Sequence, residues 1–182
     1  MMMTFKNGDF MKTTIILGML LAASFALAQD SKNPVTSAAK DMFARQQTNL
    51  PAAIESMPAA KFSYKPTEGQ NTFGHLTVHI LESNHLFCSK IADLPQPKSE
   101  LKDTDDKDKL VAGVKASFEF CGTALAKLDD SKLGDSIDLF GGKRSRAFAL
   151  LVLTGSWSDH YSEAAMYLRL NGILPPSAQP KK

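Results

Sequence analysis

Only two cysteines occur in 182 residues, and they form no C-x-x-C pair, so a thiolate metal site is excluded. The 21 basic and 19 acidic residues give a net charge of +2, with no basic block of the kind that marks a nucleic-acid surface. Nucleic acid is set aside as a partner. No G-x-S-x-G elbow, P-loop or Rossmann glycine fingerprint appears, so the sequence implies no organic cofactor. No segment of useful length alternates apolar with polar residues, which argues against a sheet-based fold. Helices are what remain.

The N-terminus is read first and removed. From Met11 the chain runs "MKTTIILGMLLAASFALAQDSK", with a charged Lys12, an apolar run from Ile15 to Leu27, and an Ala26-Leu27-Ala28 ending that suits small-x-small cleavage. This pattern predicts a secretory signal peptide; the run is shorter than the roughly 20 apolar residues of a membrane span. Residues 1–28 are then an N-terminal extension and leader, Met1 to Phe10 being an extended n-region or a mis-assigned start. Residues 29–182 form one domain by length. Cleavage removes Lys6, Lys12 and Asp9 and leaves a nearly neutral chain, expected in the periplasm or outside the cell and free of the membrane. In that oxidising setting Cys88 and Cys121 can close a disulfide, or they can be two small buried residues on separate helices; both readings stay open.

Four helices are predicted. The first lies in "NPVTSAAKDMFARQQTNLPAAIESMP", with Thr36 or Ser37 as cap, Met42, Phe43, Leu50 and Ile54 at helical spacing, and a kink or break at Pro51. "AAKFSYKPTEGQN" is an ordered loop. The second helix, "TFGHLTVHILESNHLFCSKIADLP", starts at a Thr72 cap and carries Phe73, Leu76, Ile80, Asn84, Phe87 and Ile91 along one stripe. After a charged, solvated loop the third spans about Asp106 to Leu128, with Leu110, Val114, Phe118, Cys121 and Leu125 in its stripe. A turn-rich connection follows, in which Gly141-Gly142 marks a hairpin-like or tight turn. The fourth helix runs from near Ser145 to Asn171. Its first half, "AFALLVLTG", is apolar all round and is expected to be the most buried element. Gly172 suits a C-terminal cap, and the prolines beyond prevent continuation. One apolar stripe per helix and short to medium loops point to an all-α four-helix bundle.

The chemistry rests on histidine. His75 and His79 lie one turn apart on the second helix, and His160 lies on the fourth with Ser156, Asp159 and Glu163 within a turn of it. Facing helices of a bundle build metal sites in this way, and imidazole with carboxylate or water suits zinc, nickel, copper or iron. On spacing alone, surface or packed histidines are the commoner explanation. His85 points away from the apolar stripe and is expected to face solvent.

"MPAAKFSYKPTEGQNTFGHLTVHI" together with "DHYSEAAMYLRLNGILPPS" resembles the DinB-like superfamily of YfiT-type four-helix bundles. The most specific parts are the P-T-x-G-Q-x-x-F-G entry to the second helix and the Y-L-R-L-N-G-I-x-P-P exit of the fourth. The resemblance implies a divalent metal, often zinc or nickel, held by one histidine of the second helix and an H-x-x-x-H pair of the fourth. His79 matches the former and His160 the later member of the pair; the earlier member falls on Ser156. Asp159 replaces a further histidine of many relatives, and Tyr161, Ser162 and Glu163 stand where R-G-Q is usual. Asp159, Glu163 or His75 would have to complete the site, or it is a polar pocket without metal. The implied activities are metal-dependent hydrolysis and a thiol-dependent transfer, the second at odds with export because the small thiols of such relatives are cytoplasmic. The alternative is a non-catalytic module for a small-molecule ligand, with a degenerate metal site. Related bundles often pair, so a homodimer is also expected.

Overall fold

In the computed structural model, residues 32–180 are described; the leader lies outside them. Four helices carry the fold: α1 (Pro34–Ser56), α2 (Phe73–Ala92), α3 (Lys107–Ala126) and α4 (Arg146–Leu170). A short antiparallel hairpin, β1 (Ser136–Leu139) with β2 (Gly142–Ser145), precedes α4. Adjacent pairs in the bundle are α2 with α3, α1 with α4, α2 with α4 and α1 with α3. The second and fourth helices are therefore neighbours, and what they carry can meet.

The stripes read from sequence are the core. Phe73, Leu76, Ile80, Asn84, Phe87 and Ile91 of α2 and Leu110, Val114, Phe118, Cys121 and Leu125 of α3 are all buried. Cys88 and Cys121 form a disulfide between these two helices, fully shielded from solvent. Trp157 of α4 packs on Phe43 and Phe118, with ring centroids 5.4 and 6.0 Å away. At the centre Trp157 Nε1 donates to Asn84 Oδ1 (2.7 Å) and Asn84 Nδ2 donates to Ser117 Oγ (2.9 Å). One buried amide thus ties three helices together.

Several local expectations are corrected. Helix α1 passes through Pro51 without a break, because the turn beyond it is anchored by Ala53 and Ile54, both fully buried. Its N-terminus is capped neither by Thr36 nor by Ser37: the Asp130 carboxylate accepts from the Val35 and Thr36 amides at 3.0 and 2.8 Å. A residue far along the chain does the capping, which local sequence cannot show. The turn-rich connection holds the hairpin, whose two-residue turn is Phe140-Gly141, both with positive φ (54° and 73°), one residue before the predicted pair. The first half of α4 is not buried all round, since Leu151 is 65% exposed and Phe148 39%. His85 is buried rather than solvent-facing, its ring edge-on to Phe120 at 5.9 Å.

The entry to α2 and the exit of α4 are scaffold. Tyr64 O and Phe62 O accept from the Phe73 and Gly74 amides, and Tyr167 Oη donates to Asn71 O at 2.6 Å. A Cβ at Gly74 would stand 2.2 Å from Asp103 O, so only glycine lets the loop before α3 lie against α2 there. Thr72 caps α2 as expected, its hydroxyl accepting from the His75 amide. At the end of α4 the Ile173 amide donates to Leu168 O and the Gly172 amide to Arg169 O, with Gly172 at φ 73°: a Schellman cap.

Candidate metal centre

His79 sits one turn beyond His75 on α2, and both are exposed along their own helix. His79 faces α4. Its ring meets that of His160 with centroids 4.9 Å apart and planes at 81°, edge to face. His160 is half-buried, and its Nε2 is shielded from solvent with no hydrogen-bond partner. Burial lowers the pKa of His160, the neighbouring His79 lowers it further, and Asp159 works in the other direction. These effects together favour the uncharged ring.

His160 Nε2 fits a metal. Two imidazoles sharing a cation at about 2 Å per bond hold their centroids roughly 5 Å apart, close to the observed spacing. The rest of the expected set does not gather. Among the described residues no group of three or more His, Cys, Asp or Glu side chains is arranged to hold a metal ion. His75 and Asp159 are exposed, Ser156 is half-buried on the turn before His160, and Glu163 lies near Tyr167, whose pKa it helps burial to raise. Tyr161, in the R-G-Q position, accepts from the Ser177 amide at 2.9 Å and pins the C-terminal segment to α4. Among the described residues, the sequence-expected ligands brought together are the His79 and His160 imidazoles.

A cleft of about 740 Å³ opens beside His79, lined by Glu82, Ser83, His85 and Leu86 of α2 and by Gln96 to Glu100 of the following loop. Lys98, Glu82 and Glu100 give it charges of both signs. Burial also lowers the pKa of His85, against the pull of Glu82. Sequence reasoning missed two residues near this end of the bundle. Asn84 was read as one more member of an apolar stripe, yet it is the hub of the buried network. Arg146, 4% exposed, donates from Nη1 to Ile91 O (2.8 Å) and from Nη2 to Asp93 (2.8 Å), closing the C-terminus of α2. Its place at the start of a helix gave no signal that it would cap another.

A helical bundle with a histidine pair from two facing helices, beside an open polar cleft, is the class of protein that fold and site define. The chain belongs to the DinB superfamily: the family model matches residues 42–164, and members are commonly metal-binding. Its fold is similar to that of a DinB-like protein from Bacillus subtilis (TM-score 0.64, 23% identity, covering 78% of this chain and 99% of that one). A DinB-like protein from Bacillus cereus is similar at TM-score 0.64 and 18% identity, with 76% and 93% covered. A conserved protein from Enterococcus faecalis is similar at TM-score 0.59 and 18% identity, with 75% and 96% covered. No curated protein sequence matches the chain.

Proposed function

We propose that the protein is an exported binding module of the DinB superfamily, in which His79 and His160 form a reduced, two-imidazole version of the family's metal centre. The observation that carries this reading is His160, whose Nε2 is buried and unpartnered and whose ring meets that of His79, with no third donor among the described residues arranged to complete a metal site. A catalytic zinc commonly has three protein ligands. Two imidazoles hold zinc or nickel weakly, with water in the other positions, and Ser156 is the reason.

When bound, such an ion would polarise a ligand oxygen or activate water. The chain's own contribution is otherwise plain. Burial favours the uncharged His160 ring, and the cleft beside His79 offers Glu82, Lys98 and Glu100 to a small polar molecule. Export is supported by the leader pattern and by the Cys88–Cys121 disulfide, which persists in oxidising compartments. No helix among the described residues is long and apolar enough to cross a membrane. A second reading, a metal-dependent hydrolase, is favoured by the cleft opening at His79 itself.

Calorimetric titration of the exported protein with zinc and nickel separates the two. A Kd in the micromolar range (about 8 kcal/mol) or weaker, lost in His79→Ala and in His160→Ala, is expected. Metal that stays bound at one equivalent through purification and dialysis favours the hydrolase, and binding that survives His160→Ala sinks the assignment of that ligand.

A further inference from the structure

The core stripes of α1 and α4 each carry a polar residue at one shared height. In α1 the buried residues Thr36, Ala39, Phe43, Gln46, Leu50 and Ala53 recur at alternate spacings of three and four. In α4 Leu150, Leu153, Trp157, His160, Ala164 and Tyr167 do the same, all buried except the half-buried His160. The two helices are neighbours and run parallel, because one connection holds both N-termini: Asp130 caps α1, while Leu133 O and Asp135 O accept from the Ala147 and Arg146 amides. The Phe43 and Trp157 rings meet across the pair at 5.4 Å, which fixes the register. One turn further on, roughly 4.5 Å along each helix, come Gln46 and His160.

Gln46 is 4% exposed, and its Oε1 is shielded from solvent with no hydrogen-bond partner, as is His160 Nε2. Glutamine is seldom buried so fully, and an unpaired buried acceptor costs folding free energy. Its surroundings among the described residues are closed or apolar. In the layer below, Asn84 accepts from Trp157 and donates to Ser117, whose hydroxyl donates to Val114 O. In the layer above stand Leu50 and Ala164. From α2 and α3, Ile80 and Val114 come to the height of Gln46, one turn from Asn84 and Ser117, and both are apolar and buried.

An amide oxygen only accepts, so Gln46 needs a donor from outside the chain. Carbonyl oxygens suit magnesium or calcium better than the zinc or nickel that imidazole selects, which favours contact through water over direct ligation. We propose, on the reading of His79 and His160 as a two-imidazole metal centre, that Gln46 is the positioning residue of that centre: its Oε1 accepts a hydrogen bond from a water that the ion holds. Helix α2 brings His79 to the His160 ring, and α1 brings Gln46 to the same height. A water on a cation is a strong donor, which is what a buried acceptor without a partner can use. Loss of such a partner commonly weakens metal binding by about ten- to a hundredfold.

Zinc and nickel titrations of the exported, disulfide-bonded protein test it, with melting temperatures of the metal-free forms measured beside them. Gln46→Leu removes the acceptor and keeps the space filled. It should bind the ions about tenfold more weakly or worse, yet melt in the metal-free form at or above the wild type. A purely structural role for the side chain would not move the two in opposite directions. Gln46→Glu keeps an acceptor oxygen and should bind at least as tightly as the wild type. The proposal is overturned if Gln46→Leu binds as tightly as the wild type, or more tightly, as it would if Oε1 instead accepted from a His160 Nε2–H and kept the ion away. A metal-free Gln46→Leu that melts several degrees lower overturns it too, since the amide would then have its partner inside the fold. Binding lost in His160→Ala but kept in Gln46→Leu defeats this role alone, whereas a wild type that binds neither ion defeats the metal centre and this role with it.

Discussion

The His79 and His160 rings meet edge to face from neighbouring helices, 4.9 Å between centroids, and the Nε2 of His160 has no hydrogen-bond partner. A buried polar atom left unpaired costs folding free energy, so an arrangement that keeps one has a use for it or carries the trace of one. On the proposed reading, Ser156, one helical turn away, is what separates a full site from a remnant.

The buried network of Trp157, Asn84 and Ser117 joins three helices of the core. Asn84→Leu fills the volume but leaves the Trp157 Nε1–H and the Ser117 hydroxyl without their side-chain partner. Chemical denaturation should show a loss of about 2 kcal/mol or more. A neutral result would mean that the three helices do not depend on the amide.

The disulfide should matter through the unfolded chain. It joins residues 33 apart, and loop-closure entropy for that length gives about 3 to 4 kcal/mol. Cys88→Ala with Cys121→Ala should lower stability by about this much, less whatever native strain the bond holds. Equal denaturation midpoints for the oxidised wild type and the double variant would contradict the staple.

Acid should weaken the fold through His85. Burial holds its pKa below the ordinary histidine value of 6.5, so the unfolded chain takes up a proton first as pH falls. Stability is then full above about pH 6.5, declines as pH drops through the window below it, and levels off once the folded ring is protonated too. His85→Gln should shrink the difference between melting temperatures at about pH 7.5 and about pH 5, leaving the share carried by other groups. An unchanged difference would show that His85 does not titrate on unfolding.

The helices could be read from sequence because each has an apolar stripe at a period that tertiary structure rarely overrides. The stripes of α2 and α3 are buried residue by residue. What stayed hidden depends on partners far along the chain. Asp130 caps α1 from a connection nearly a hundred residues away, and Arg146 closes α2 from the start of α4. The strands of the hairpin are four residues each, too short for alternation to rise above the turn signals around them. Helix α4 differs for another reason: apolar residues all round suggest burial on every side, whereas a helix in a four-membered bundle has an outer face. His85 differs likewise, since Phe120 of α3 covers a position that lies off the main stripe. The pairing of His79 with His160 was visible in outline, through the resemblance; that no third donor among the described residues is arranged with them needed coordinates.

Restoring the missing ligand tests the central claim most directly. Ser156→His places an imidazole one turn before His160, and zinc affinity measured by calorimetry should rise about tenfold or more over the wild type, with the gain lost again when His79→Ala is added. A Ser156→His protein that binds zinc no more tightly than the wild type, or a wild type already as tight as the variant, would contradict a reduced two-histidine centre.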